Sequence, residues 1–282
     1  MRFIKKRLKR IVFYALVLVV LIVLLFLIPA NFMQSDISNL FTATTVVWAI
    51  IVGFFMAAAL ANYSTLQSLI SSETAGLISL SYFVKFIDPL LSKKVNEEID
   101  NYVIRAFDFE LSDYIDKTRA DFDNILKAAY ETKNKNTGLF SEMVSSIRDL
   151  IKCRQEISLA GRKLMSLSSW VVISILTMIN ISLLYSIRSL EIISSVFTIV
   201  ISLSMIIILF LLKDIDSNTF AEEKLAFDIY QEIFREIGKL PYYPEISIDK
   251  GRIQIPSGQK VRIGKYKNFP ESLEKTIVLK QF

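Results

Sequence analysis

The run DIDSNTF sets Asp214, Asp216 and Asn218 at the alternate positions from which an EF-hand loop offers its first three oxygens. The sixth position, where the loop needs glycine for its sharp turn, is Thr219, and the twelfth is Leu225 instead of a bidentate Glu. The pattern therefore fails as an EF-hand and reads as a solvated helix start at a membrane edge. No metal site is assigned, and Asp214, Asp216, Glu222 and Glu223 are what remains for a calcium ion held in another geometry. Glu73, in LISSETAGL among small and apolar neighbours, is expected to be a helix-packing or salt-bridge carboxyl. The alternative for Glu73, and for Asn62 upstream, is a place flanking a permeation path. Asn180, midway along an apolar run, is expected to bond a neighbouring helix.

The chain has no His and one Cys, Cys153. An intrachain disulfide, zinc sites of the Cys/His kind, Cys-His or Ser-His-Asp catalysis and histidine pH sensing are thereby excluded. No Gly-rich phosphate loop is present, and no carboxylate pair has a nucleophile or metal partner by spacing. No catalytic constellation emerges, so an enzyme is not expected, and neither is a cofactor.

The elements that must position these residues are mostly long helices. The 282 residues are 52% hydrophobic with a mean hydropathy of +0.44, too apolar for an ordinary soluble domain, and eight Gly and six Pro leave few loops. Four stretches are apolar over the length needed to cross a bilayer and carry no charge: Ile11–Pro29, Thr44–Tyr63, Ser166–Ile187 and Ile192–Leu212. The first follows the basic MRFIKKRLKR but is longer than a signal-peptide core, and reads as a retained anchor. Lys and Arg concentrate before the first span, between the second and third, and after the fourth. The positive-inside rule puts all three in the cytoplasm of a multi-pass protein of the cytoplasmic membrane, with both termini inside. The net charge of +5 is thereby explained without a nucleic-acid partner.

The expected organisation is residues 1–63 with two spans, a cytoplasmic helical region over 64–165, spans three and four over 166–212, a cytoplasmic helix over 213–244 and a basic β-hairpin tail over 245–282. In the central region Val95, Ile99, Tyr102, Val103 and Ala106 make one apolar stripe, and Phe140, Val144, Ile147 and Ile151 another. Glu131–Gly138 is the polar turn between them. Only Gly76 interrupts Tyr63–Asp88 and only Gly161 the approach to the third span, so membrane and cytoplasmic parts are expected to share helices as one unit. After the fourth span, Thr219 and Glu222 fit a capping box, Phe227, Tyr230, Phe234 and Ile237 share a face, and Gly238 and Pro241 stop the helix. ISIDKGRIQI, Ile246–Ile255, alternates around Lys250-Gly251 as a hairpin does, and KVRIGKY can add a strand.

The second span divides into two rows. Val46, Ile50 and Phe54 follow one another by four, while Ala49, Gly53 and Ala57 form a small-xxx-small row that permits close helix approach. The bulky row can touch lipid, or it can line a dry constriction that excludes water and ions. Four spans are too few to enclose a pore in one chain, so a constriction requires a closed ring of copies. The helix start near Thr44 and Thr45 would put a positive partial charge at the outer mouth, mildly favouring anions.

The order of elements resembles the bestrophin-like family: two spans, a long helical insert, a close pair of spans and a cytoplasmic tail. GFFMAAALANY is similar to the family's second-span pattern, NYSTLQSLISSETAGLISLSYF to its bacterial and archaeal branch, and GKLPYYPE to a tail feature of some members. The resemblance, over about Phe13 to Pro244, implies an all-α membrane protein assembled as a pentameric ion channel, with the second span lining a narrow apolar neck. Carried across on the Gly-Phe match, the neck residues are Val46, Ile50 and Phe54. The implied partners are other copies of the chain, the bilayer and inorganic ions, with chloride as a candidate. The sequence departs from animal members in two places. NYSTLQ replaces their aromatic-rich segment after the second span, and DIDSNTFAEE thins the acidic calcium clasp. The competing reading is a non-conducting scaffold or signalling protein of the same fold. Its contact with anionic lipid or a partner would use Lys250, Arg252, Lys260, Arg262, Lys265 and Lys267.

Overall fold

A computed structural model describes residues 2–27, 35–109, 113–135, 137–162, 164–216, 226–249, 255, 257–269 and 271–282, with the side chains of residues 2–14, 35, 36, 226 and 227 left out. Its helices are α1 (Arg2–Leu27), α2 (Ser35–Ile87), α3 (Pro89–Ala106), α4 (Tyr114–Lys117), α5 (Arg119–Tyr130), α6 (Gly138–Ala160), α7 (Leu167–Ile187), α8 (Ile192–Asp216), α9 (Ala226–Glu236) and α10 (Glu245–Asp249). The strands are β1 (Tyr242–Pro244), β2 (Lys260–Tyr266) and β3 (Lys275–Gln281).

The chain divides into two compact units, residues 1–61 with 163–217, and residues 62–162 with 218–282. Of the two helices expected to be shared between membrane and polar parts, α2 is continuous: its 53 residues extend about 80 Å at 1.5 Å per residue. The approach to the third span is not. α6 ends at Ala160, Gly161 caps it, and α7 restarts at Leu167 behind its own N-cap, Ser166, whose hydroxyl accepts from Ser169 N–H. The Asp216 carboxylate accepts from Leu164 and Met165 N–H at 3.0 and 2.9 Å, satisfying the donors that the break frees.

In the first unit, three helices are long and apolar enough to cross a membrane among the described residues: the long α2, α7 and α8. The described apolar part of α1, Ala15–Leu27, is shorter. The core joins Trp48, Val52 and Ala59 of α2 with Met165, Ile173 of α7, and Met205, Leu212 and Ile215 of α8. α1 is tied in through its backbone: Tyr185 donates to the Leu21 carbonyl at 2.8 Å, and Arg188 to that of Leu25.

In the second unit, Asp88 and Pro89 turn the chain from α2 into α3, with the Asp88 carboxylate accepting from Leu91 N–H. The α3 stripe Val95, Ile99, Tyr102, Val103 and Ala106 is buried as its spacing requires. On α6 the buried face is Met143, Ile147, Leu150, Arg154 and Ile157, and Ile151 lies 38% exposed. The expected α6 stripe is thus rotated, because the row that packs inward includes a charged residue that hydropathy assigns to the surface. Gly76 has a packing reason: a Cβ there would stand 2.8 Å from Leu150 Cδ1, so α2 and α6 approach closely.

α9 buries Tyr230, Phe234 and Ile237, and Gly238 ends it at φ 74°. The capping pair Thr219 and Glu222 lies outside the described residues, as does the side chain of Phe227. The hairpin expected at Ile246–Ile255 is not formed there, since Glu245–Asp249 is helical. β1 pairs parallel with β2, Tyr242 opposite Arg262, and parallel neighbours need a crossover, which α10 begins. The hairpin is instead β2–β3, antiparallel with Lys260 opposite Gln281, in a sheet of order β1-β2-β3. Two ion pairs hold this sheet to α3 and the turn after it. Arg262 is bidentate to Asp100 at 2.7 Å in both bonds, and Lys275 reaches Asp108 at 2.7 Å.

Candidate functional site

Glu73, Asn62, Asn180 and the two rows of the second span fall on or against α2, and its two halves treat them oppositely. In the first unit, polar side chains on α7 fix how α2 is rotated. Asn180, fully buried, accepts from the Thr45 hydroxyl at 2.7 Å, with the Thr44 hydroxyl 3.0 Å from the same oxygen. Its amide donates to the Leu176 carbonyl at 2.8 Å and the Thr44 carbonyl at 3.4 Å. One turn on, Trp48 donates to the Thr177 hydroxyl at 2.7 Å. Asn180 therefore bonds the neighbouring helix, as its position mid-span requires.

This anchoring turns Trp48, Val52 and Ala59 inward. The row 200° away on the helix is left open: Val46, Ile50 and Phe54 are 53%, 66% and 69% exposed. Ala49, Gly53 and Ala57 lie exposed beside them, and nothing comes within 4 Å of a Cβ built on Gly53. The small-residue row is thus not used for packing inside the chain. Bulky and small rows together make one uncovered apolar face. The helix begins at Ser35, well before Thr44, so the positive end of its dipole does not lie at Thr44 and Thr45.

In the second unit, the same helix buries Glu73 completely. Three phenols from three other elements converge on its carboxyl. Tyr102 of α3 donates to Oε1 at 2.5 Å, Tyr114 of α4 donates to the same oxygen, and Tyr230 of α9 donates to Oε2 at 2.5 Å. Arg154 of α6 stands 3.8 Å from Oε1, stacks on the Phe122 ring at 3.9 Å and donates to the Thr118 hydroxyl at 3.0 Å. Burial, then the charge of Glu73, pushes all three phenols well above their ordinary value. Burial works against the Arg154 cation, yet Tyr102, Tyr114 and Glu73 outweigh it and hold the guanidinium above its ordinary value. Cys153 donates to the Leu69 carbonyl, and burial, with Glu73 second, pushes its thiol up to about 12. An inert thiol and three held phenols describe a structural centre.

Glu73 thus has the paired role that its neighbours suggest, but with partners that its sequence context does not disclose. Tyr102 is foreshadowed by the α3 stripe and Tyr230 by the α9 face, each as an apolar core position. Nothing in the sequence singles out Tyr114 or Arg154. Asn62 donates to the Ala160 carbonyl at 2.8 Å and caps α6. Asp216 is engaged by backbone N–H groups and stands 3.4 Å from Trp170 Nε1, Glu222 and Glu223 lie outside the described residues, and no acidic or thiol cluster fit for a metal occurs among the described residues. Of the basic tail residues, Arg262 is committed to Asp100, and Lys267 meets Glu274 at 2.9 Å.

Comparison with known proteins adds a family and a fold. The bestrophin-like domain matches residues 11–218. No curated protein matches the chain. A crystal structure of a bacterial bestrophin homologue from Klebsiella pneumoniae, carrying a point substitution, is similar with a TM-score of 0.57 at 13% identity, over 71% of this chain and 87% of that one. A crystallised membrane protein aligns with a TM-score of 0.60 at 13% identity, over 81% of this chain and 99% of that one. Another has a TM-score of 0.57 at 11% identity, over 71% and 87%. At these identities the likeness is one of fold. α9, α10 and the three strands lie beyond the matched domain.

Proposed function

Since the chain belongs to the bestrophin-like family, we propose that it is a homo-oligomeric, pentameric ion channel of the cytoplasmic membrane. Each chain crosses the bilayer four times with both ends in the cytoplasm. Five copies of α2 surround a common axis, and Val46, Ile50 and Phe54 form an apolar neck. A ring of such side chains strips an ion of its hydration without offering a substitute, so the narrow state is dry and closed. Ions cross passively when the ring widens or wets. The permeant species is an inorganic ion, and chloride is the first to test.

One observation carries this reading: bonds from Thr45 and Trp48 to Asn180 and Thr177 turn an apolar face of α2 away from its own chain, and that face pairs a bulky row with a small one. Lipid contact needs no Gly or Ala, whereas close approach of helices does. Of the six basic residues that the scaffold reading would use, Arg262 is committed to Asp100 and Lys267 meets Glu274 on the surface.

The test is planar-bilayer recording on the purified protein in chloride solutions, with particle symmetry read from the same preparation. Ile50→Ala and Phe54→Ala should each raise conductance or open probability about tenfold, the equivalent of about 1.4 kcal/mol off the dewetting barrier. Unchanged currents in both variants would remove the neck, and a monomeric particle would remove the pore.

A further inference from the structure

Among the described residues, β3 is an edge strand with no strand on its outer side. Its inner side pairs with β2. Ile277, Val278 and Leu279 are 44%, 38% and 56% exposed in succession. Natural sheets blunt such edges with charges, proline or bulges, because an open row of N–H and C=O groups with apolar side chains invites another strand. Here the middle of the strand carries none of these. Of its two lysines, Lys275 turns its ammonium inward to Asp108, which leaves Lys280.

We propose that this edge is an interface between copies of the chain, in which β3 pairs antiparallel with β3 of a second copy around a two-fold axis at Ile277. Two features select the register. The first is the phase of the hydrogen bonds. Lys267 N–H donates to the Glu274 carbonyl and Phe282 N–H to the Gln259 carbonyl. Alternation along an antiparallel pair then points the backbone groups of residues 274, 276, 278, 280 and 282 toward β2, and those of Lys275, Ile277, Leu279 and Gln281 outward. Two-fold pairing at Ile277 sets Ile277 opposite Ile277 and Lys275 opposite Leu279, all outward-bonding residues. The second is charge. In this register Glu274 of each copy stands opposite Lys280 of the other, in the close, non-hydrogen-bonded type of pair where side chains interact best. Moving the axis to Val278 sets Lys280 opposite Thr276 and loses both charge pairs. Glu274 already meets Lys267 at 2.9 Å, and a carboxylate accepts from two ammonium groups at once.

A two-fold contact cannot close a five-membered ring, so in a pentamer this edge joins chains of different rings. The interface does not depend on conduction. A silent protein with paired β3 strands would refute the channel and leave this proposal standing.

Cross-linking of the full-length protein tests it. Opposed Cα atoms in a hydrogen-bonded pair lie about 5.5 Å apart, within disulfide reach. The only natural thiol, Cys153, is buried. Under mild oxidation Ile277→Cys should give a reducible covalent dimer, and Leu90→Cys, 93% exposed away from the sheet, should not. Glu274→Lys and Lys280→Glu, each added to the Ile277→Cys chain, should lower the dimer yield about fivefold by opposing like charges, and the double exchange should restore it. Leu279→Lys alone should halve the particle mass by light scattering. Cross-linking of Ile277→Cys no better than that of Leu90→Cys, or an unchanged mass for Leu279→Lys, would overturn the interface. Failure of the double exchange to restore yield would overturn the register.

Discussion

The two halves of α2 follow the same helical geometry and end in opposite states. From Val46 to Phe54 the helix holds its place with a few bonds to α7 and leaves an apolar face open. Around Glu73 it is closed on every side, with one carboxyl taking donors from α3, α4 and α9 beside an arginine of α6. The open half leaves an apolar face uncovered within one chain. The closed half is complete and is suited to holding α2 in place. If the proposed neck is right, stability and function separate along one helix: substitutions near Glu73 should cost folding, and those on the open face should not.

The largest effect expected is that of Glu73→Ala. It strips the acceptor from three buried phenols and the counter-charge from Arg154, and should cost about 3–5 kcal/mol, the usual loss when a buried pair is broken from one side. Thermal unfolding in detergent reads this directly. Ile50→Ala in the same assay should stay within about 0.5 kcal/mol of the parent, as for an exposed site. If the two variants melt alike, the separation fails.

Gly264→Ala comes next. A Cβ there would stand 2.0 Å from the Tyr242 hydroxyl, and Tyr242 stacks on Phe107 inside the core, so its ring has no room to yield. Overpacking of this kind costs about 1–3 kcal/mol. The prediction sharpens the comparison, because Gly53→Ala on the open face meets nothing inside the chain and, by replacing Gly with Ala within a helix, should stabilise the melt by about 0.5–1 kcal/mol.

Alkaline pH offers a graded test. The phenols of Tyr102, Tyr114 and Tyr230 titrate above their ordinary value of 10.0 in the folded protein. Above that pH the unfolded chain has lost protons that the folded one retains, so stability is full below pH 10 and falls as pH rises. Each group contributes a slope of about 1.4 kcal/mol per pH unit. Cys153, shifted from 9.0 to about 12, begins the decline one unit earlier. Tyr230→Phe should make the decline shallower by one proton, and a pH-dependence identical to the parent's would remove Tyr230 from the centre. The smallest effect belongs to Asn180→Leu. Interhelical polar bonds within membranes average about 0.6 kcal/mol, so the melt should barely move while the rotation of α2, and with it any current, changes.

Much of this was legible in residue order. The absence of Pro and the single Gly76 mark α2 as a continuous rod, and periodicity marks the buried stripe of α3 and the inward face of α9, because chain breakers and apolar spacing of 3.6 are local properties. Asn180 was legible because an amide among apolar residues has few alternatives to bonding another helix. Arg154 was not, since a charged residue on an amphipathic helix is placed at the surface until a buried carboxylate is known to face it. Tyr114 was hidden in a four-residue helix too short to show a period. Glu245–Asp249 is helical where alternation suggests a strand, because alternation over a few residues does not distinguish a strand from the start of a crossover.

By itself, then, the sequence determined the membrane character, the long α2, the rows on its faces and the absence of histidine chemistry, all consequences of residue type and local spacing. Only the tertiary structure decided which row turns inward, since that depends on hydrogen bonds to α7, more than a hundred residues away in the chain. It alone gathered three tyrosines and an arginine around Glu73, because a buried carboxyl selects its partners by distance in space, and sequence separation carries no record of that distance.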